Sequence, residues 1–316
     1  MTPGERRMLG EMVTELFAAG RAADVVTELV ASGMANEVWS DDEATALVLG
    51  AQGAAVATST LLDHLATGAS GPSTGRLVLP ALGAAGYAAA PGADEAGCLV
   101  VDGIVLAADM TDASRFLIGV GGELVAVAAS ALAVEPVAGF DPDLRVARVR
   151  GRVARATAEA VGGSWSATAA RAARGLAFEL IGAADAAIAR AVRHVMERHQ
   201  FGRPLAAFQV VRHRLAAAAV AVAGARELAL AVGPDVDLDE AVLVVKAAAG
   251  RAALIAVQEA QQVCGGMGFT AEFGLHRLVR RVYLLDSLFG GCEAAEVELG
   301  ELALASGRLP SSPVAL

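Results

Sequence analysis

Aromatic residues are scarce, at 4% of a 316-residue chain, and cysteines number only three. Cys98, Cys264 and Cys292 are too few and too scattered for a disulfide framework. No Cys-x-x-Cys or His-x-x-x-His pair marks a metal site, so no metal is expected. There is no basic stripe either. The net charge is −10 and the pI is near 5, which argues against a nucleic-acid partner. The local cluster Arg277, Arg280 and Arg281 reads as one polar face of a helix. The most apolar run, Leu215 to Ala225, is about half of what a membrane span needs. The N-terminus begins Met1-Thr-Pro-Gly-Glu-Arg-Arg, without the apolar segment of a signal peptide. These absences together give the expectation of a cytoplasmic protein without a membrane partner.

What is present is alanine, valine, leucine and glycine. Apolar residues reach 55%, enough for a large core, and alanine and leucine favour helix. Met8, Leu9, Met12, Val13, Leu16 and Phe17 recur at helical spacing. A second helical run covers 22–31, and a third follows a cap at Ser40-Asp41-Asp42 and reaches about Leu65. The stretch 67–75 is rich in glycine, serine and proline and reads as a linker. It contains Gly71-Pro-Ser73-Thr-Gly75, a nucleophile-elbow pattern without the strand and helix that such a serine needs.

The texture then turns to strands. Asp102-Gly103 between two apolar runs predicts a hairpin turn, and Gly121-Gly122 predicts another. Residues 144–149 read as one more strand. Helical periodicity returns over 166–199 and 205–232. A further helix, capped by Asp237 or Asp239, runs to Cys264, and two more cover 272–288 and 292–306. The predicted organisation is an N-terminal helical domain (1–70), a small β-domain (71–155) and a C-terminal helical bundle (156–316). The fold class is mainly α with a small central β-domain and a C-terminal antiparallel four-helix bundle.

Two motifs stand out at helix ends. Arg198-His-Gln-Phe-Gly-Arg-Pro-Leu-Ala-Ala-Phe-Gln209 joins one helix to the next. A guanidinium can grip a pyrophosphate, and an aromatic can lie against a flat ring. Gln261-Gln262-Val-Cys-Gly265-Gly266-Met-Gly268-Phe269 closes a later helix. The five histidines pair with no serine or cysteine nucleophile.

Together these segments resemble the acyl-CoA dehydrogenase family. Arg198 to Leu215 is similar to its Arg-x-x-Phe-Gly…Phe-Gln…His-x-Leu signature, and Gln262 to Phe269 to its Gln-x-x-Gly-Gly-x-Gly-Phe segment. The resemblance runs over about 165–305 and implies that family's helix–β–helix fold. It also implies FAD held between two subunits. One subunit's β-domain holds the flavin ring, and the neighbour's bundle reaches over to the pyrophosphate and adenine end. The reaching contribution would come here from Arg198, Gln200, Phe201, Leu205, Phe208, Gln262, Gly265 and Gly266.

The other half of the family pattern is missing. No Thr-Glu-Pro-x-x-Gly-Ser-Asp segment or tryptophan-bearing strand occurs in 76–153, and 77–93 is mostly apolar. The glutamate that would remove the acyl-CoA α-proton is also absent. Its position falls on Phe289, and the family's alternative position falls near Arg171–Ala172. Neither phenylalanine, arginine nor alanine serves as a base there. The resemblance therefore implies a non-catalytic subunit whose FAD is shared with a catalytic partner. Such α2β2 acyl-CoA dehydrogenases belong to actinobacterial sterol side-chain degradation. An acyl-CoA substrate and electron-transferring flavoprotein as acceptor follow from the family. Two rival expectations stand beside this one. A complete homo-oligomeric enzyme would use a displaced base at Glu293 or Glu296, and a structural or regulatory helical protein would hold no flavin.

Overall fold

The computed structural model describes residues 1–68, 75–82, 89–106, 114–139, 141–232 and 240–307. The Gly71–Thr74 part of the predicted linker and the proposed caps Asp237 and Asp239 lie outside them.

Five helices open the chain: α1 Pro3–Ala18, α2 Val25–Ala31, α3 Ala35–Ser40, α4 Asp42–Ala55 and α5 Leu61–Thr67. Thr2 and Glu5 form a reciprocal capping box at α1. Asp41 caps α4 by accepting from the Ala44 amide at 3.0 Å. The single helix expected from about residue 42 to Leu65 is two helices. Val56 takes a left-handed conformation (φ 51°) and ends the first, and the backbone turns before α5.

Eleven strands follow among the described residues. Nine form one sheet: β1 Arg76–Leu77, β2 Leu79–Pro80, β3 Gly92–Glu95, β4 Cys98–Val105, β5 Arg115–Val120, β6 Glu123–Ala128, β7 Ala133–Pro136, β8 Ala147–Ala154 and β9 Glu159–Ser164. The sheet order is β7-β8-β4-β3-β5-β6-β9, with β1 parallel to β5 and β2 antiparallel to β4. Strand β9 extends the sheet beyond residue 155. The short strands β10 His199–Gln200 and β11 Arg203–Pro204 form a separate hairpin.

Gly121 and Gly122 (φ 56° and 90°) turn β5 into β6, as their spacing predicts. Asp102-Gly103 does not turn. Strand β4 runs straight through it, and the turn lies earlier, at Ala96-Gly97 (φ 54° and 83°), between β3 and β4. The glycine at 103 has a packing reason: a Cβ there would fall on the Leu79 carbonyl of β2 and on the Val78 side chain just before it. Asp102 instead faces β8 and accepts two hydrogen bonds from Arg148, at 2.8 and 2.6 Å.

The bundle comprises α6 Trp165–Glu197, α7 Gln209–Ala231, α8 Glu240–Cys264, α9 Leu275–Ser287 and α10 Gly291–Ser306. Ser164 caps α6, and the Trp165 ring lies over the bare backbone of Gly119 in β5. Helix α6 is the axis of the molecule and packs against α4, α5, α7, α8 and α9. Alanine and glycine let it come close. A Cβ at Gly53 of α4 would fall on the Glu179 carbonyl of α6, and one at Gly182 on that of Gly50.

The core has two parts. Val78, Leu99, Val101, Phe116, Ile118 and Val149 fill the interior of the β-domain. On the other face of the sheet, Leu77, Leu79, Ile104, Leu117 and Leu124 join the helical core directly. Among the described residues no helix is long and apolar enough to cross a membrane, and no acidic, histidine or cysteine cluster could hold a metal ion.

Candidate functional site

Helices α6 and α8 both end at the same pole of the bundle, where α7 begins. Arg214 near the start of α7 pairs with Glu259 near the end of α8 at 2.7 Å. Arg190 in the last turns of α6 donates to the Phe273 carbonyl at 2.6 Å, just beyond α8. The His194 ring meets the Phe273 ring edge-on at 5.3 Å. The fold thus gathers the two sequence motifs at one pole.

The first motif is a hairpin. Arg198 leaves helical geometry at the end of α6, and its carbonyl accepts from the Leu205 amide at 2.8 Å. Gln200 faces Arg203 across β10 and β11, with Phe201-Gly202 as the two-residue turn. Both turn residues have positive φ, 54° and 78°. Gly202 does this freely, whereas Phe201 holds its ring out at a conformational cost of about 1 kcal/mol. Its side chain is 88% exposed. The Phe208 ring meets it edge-on at 6.1 Å, and the Arg203 guanidinium lies 4.1 Å over Phe208. Leu205 and Phe208 are half-buried behind this surface.

The second motif closes α8. Gln262, Gly265 and Gly266 are exposed. Gly265 has φ 57°, and a Cβ on either glycine would meet nothing within 4 Å. Their backbone is open to close approach from outside. Phe269, 69% exposed, stands beyond them. Among the described residues, Arg198, Arg203 and Arg212 form no ion pair. An acidic chain therefore carries uncompensated positive charge and bare aromatic surface at one pole. That combination suits a ligand with a phosphate group and a flat ring.

The place expected for a base is different. Phe289 is 3% exposed and belongs to the main core. It lies in a tight turn between α9 and α10 in which Phe289, Gly290 and Gly291 all have positive φ (56°, 93°, 74°). Lys246, fully buried in α8, holds this turn by donating to the Asp286 carbonyl at 2.8 Å. Asp286 in turn accepts from the Cys292 amide at 3.1 Å. Ala172 is buried, and Arg171 donates to the Ala66 carbonyl. Of the two candidate substitutes, Glu296 is gripped by Arg251 at 2.9 and 2.6 Å, which lowers its pKa. Glu293 is exposed.

One cluster is built from residues far apart in the sequence. Arg281, expected on a polar helix face, has no exposed surface. Its five N–H groups are all engaged. They reach Asp141 at 2.7 Å, Glu179 at 3.0 Å, the Ala57 carbonyl at 2.6 Å, and the Val56 carbonyl and Thr58 hydroxyl at 3.3 Å each. Gln52 donates to the other oxygen of Glu179 at 2.9 Å. Burial raises the pKa of Glu179 against the pull of Arg281. A signal was present: Arg281 falls at helical spacing between Leu278 and Leu285, on the buried stripe of α9.

Residues 163–301 match the family described as acyl-CoA dehydrogenase, C-terminal domain. The chain is 32% identical over 149 residues to the acyl-CoA dehydrogenase IpdE2 of Mycobacterium tuberculosis, a match covering 47% of this chain and 45% of that protein. It is 33% identical over 112 residues to a short-chain specific acyl-CoA dehydrogenase of Megasphaera elsdenii, 34% of this chain and 29% of that one. These matches span less than half the length of the curated relatives. Among solved structures, a variant of the Tcur3481–Tcur3483 steroid acyl-CoA dehydrogenase superposes with TM-score 0.76 at 23% identity, covering 96% of this chain and 98% of that one. The ChsE4–ChsE5 complex of Mycobacterium tuberculosis gives 0.69 at 18% identity, with 98% and 99% covered. At these identities the likeness is one of fold.

Proposed function

We propose that this chain, whose residues 163–301 match the acyl-CoA dehydrogenase C-terminal domain, is the non-catalytic subunit of a heteromeric FAD-dependent acyl-CoA dehydrogenase, and that its bundle pole completes the FAD site of a catalytic partner. The observation that carries this reading is the contrast between two places in one chain. The pole with Arg198, Phe201 and Gln262 is open and charged, whereas the position of the base is a phenylalanine sealed in the core.

The residues fit one half of FAD and not the other. Arg198 would grip the pyrophosphate, with Gln200 and Gln262 as hydrogen-bonding neighbours. Phe201, backed by Phe208 and Leu205, offers a surface for the adenine. Gly265 and Gly266 let backbone approach without a side chain between. Among the described residues, the sheet face that would carry the flavin ring in this chain is lined by leucines and not by such polar groups. Leu77, Leu79, Leu117 and Leu124 pack there against the helices. Held between the subunits by these residues, FAD would supply the hydride-acceptor chemistry for α,β-dehydrogenation of an acyl-CoA, and the α-proton would go to a carboxylate of the partner. This chain's residues bind and orient, and none is placed to move a proton.

A steroid side-chain acyl-CoA is the proposed substrate class. It is supported by the likeness in fold to a steroid acyl-CoA dehydrogenase and to a two-component complex. Those likenesses also support a two-component assembly, for which α2β2 is the proposed stoichiometry, and the family supports electron-transferring flavoprotein as acceptor. The homo-oligomeric alternative would need Glu293 or Glu296 as base. Arg251 already engages Glu296, which favours the heteromeric reading. The test is Arg198→Ala in the complex with the partner. Flavin retention should fall about tenfold, the loss of one charge-assisted contact, and unchanged flavin occupancy would refute the role given to Arg198.

A further inference from the structure

Arg190 has no place in the family motifs, yet it sits where the two halves of the pole meet. It is half-buried in α6, two turns before Arg198. Its Nη1 donates to the Phe273 carbonyl at 2.6 Å. The next residue, Gly274, has φ 70°, and a Cβ there would lie 2.6 Å from the same Nη1. The backbone favours glycine here, and a Cβ would displace the guanidinium that rests beside it. One turn along α6, His194 packs edge-on against the Phe273 ring.

The electrostatics of this contact are unusual. Among the described residues no carboxylate pairs with Arg190, and its charged neighbours are Arg193 and Arg277. Burial first, and then these two cations, lower its pKa. Arg277 is offset by Asp143 at 2.8 Å; among the described residues no carboxylate pairs with Arg193. A half-buried cation among cations is a cost to the isolated chain. A bound anion at the pole would offset it.

We propose that Arg190 is a positioning residue for the FAD site: as a strut from α6 to Phe273-Gly274, it fixes the hairpin at Arg198–Phe201 relative to the Gln262–Gly266 turn, and it adds positive potential for the phosphate groups. This rests on the reading of the pole as the FAD-clamping surface. The strut ties down the chain that leaves α8 after the Gly265–Phe269 turn. Without it, each motif keeps its local fold but their spacing is no longer set. An anion bridging both motifs would then bind more weakly.

The test uses ADP, which carries the adenine and the two phosphates, titrated calorimetrically into the flavin-stripped complex of this chain with its catalytic partner. The wild-type complex should bind, and Arg190→Met should weaken binding about tenfold with the thermal midpoint of unfolding recorded alongside. Arg190→Lys keeps a donor and a charge and should stay within about threefold of wild type. Gly274→Ala leaves the charge but pushes the guanidinium off its seat, so it should match Arg190→Met. Unchanged affinity in Arg190→Met would overturn the proposal. A loss in Arg190→Met without one in Gly274→Ala would overturn the strut and leave only the charge. A wild-type complex that binds no ADP would instead overturn the reading of the pole itself, and the strut with it.

Discussion

Arg281 of α9 and Asp141, which follows the β-domain strand β7, meet at 2.7 Å with both side chains closed to solvent. Because the same guanidinium holds Glu179 of α6 and the Val56–Thr58 backbone after α4, one side chain ties the helical start, the β-domain and the bundle together. All its donors are used, which is the condition under which a buried ionic group is tolerated.

Removing it should therefore be severe. Arg281→Met leaves Asp141 and Glu179 facing each other without a cation. The expected loss is about 3–5 kcal/mol of stability, the range for breaking a buried pair on one side. Urea denaturation followed by circular dichroism measures it. A loss below 1 kcal/mol would mean that the domains are held together by apolar packing alone.

The cluster also predicts a pH dependence. Two carboxylates share one guanidinium, and burial raises the pKa of Glu179 above its ordinary value near 4.5. Between that value and the raised one, the folded chain holds a proton that the unfolded chain has released. Stability then falls as pH rises through this window. Glu179→Gln should remove this part of the slope. Some slope should remain, because burial raises the pKa of Asp63 in the same direction, against Arg76. Unfolding midpoints measured across pH 4.5 to 7 for both proteins decide it, and identical slopes would contradict the assignment.

Phe289 offers a third prediction. A carboxylate restored there would enter a packed core, not a cleft. Phe289→Glu should cost about 3 kcal/mol or more from lost packing and charge burial. It should also give the isolated chain no acyl-CoA dehydrogenase activity. A stable, active Phe289→Glu chain would show that the site beside it is latent and not closed.

Much of this organisation can be read from sequence, because local chemistry decides it. The Gly121-Gly122 turn follows from two residues tolerant of positive φ between apolar runs. The long helices follow from alanine-rich periodicity, and Arg198 and Gln262 share a pole because α6 and α8 run in the same direction with α7 between them. What sequence did not reveal depends on neighbours distant in the chain. Asp102-Gly103 has the composition of a turn, but Gly103 is bare because β2 presses on it, and Asp102 is held by Arg148 of β8. Arg281 looks like surface because it is charged. Its partners lie more than a hundred residues away, at Asp141 and Glu179. Val56, a β-branched residue in a left-handed conformation, is a position that propensity argues against, and its carbonyl is held by Arg281.

The central claim is that this chain serves a flavin it does not hold alone. The most direct measurement is flavin content per chain, from absorbance in the flavin band, for the protein purified alone and co-purified with the catalytic acyl-CoA dehydrogenase subunit proposed as its partner. A colourless chain alone and a yellow complex with about one flavin per pair of chains are expected. A stoichiometric yellow protein from this chain alone would contradict that claim.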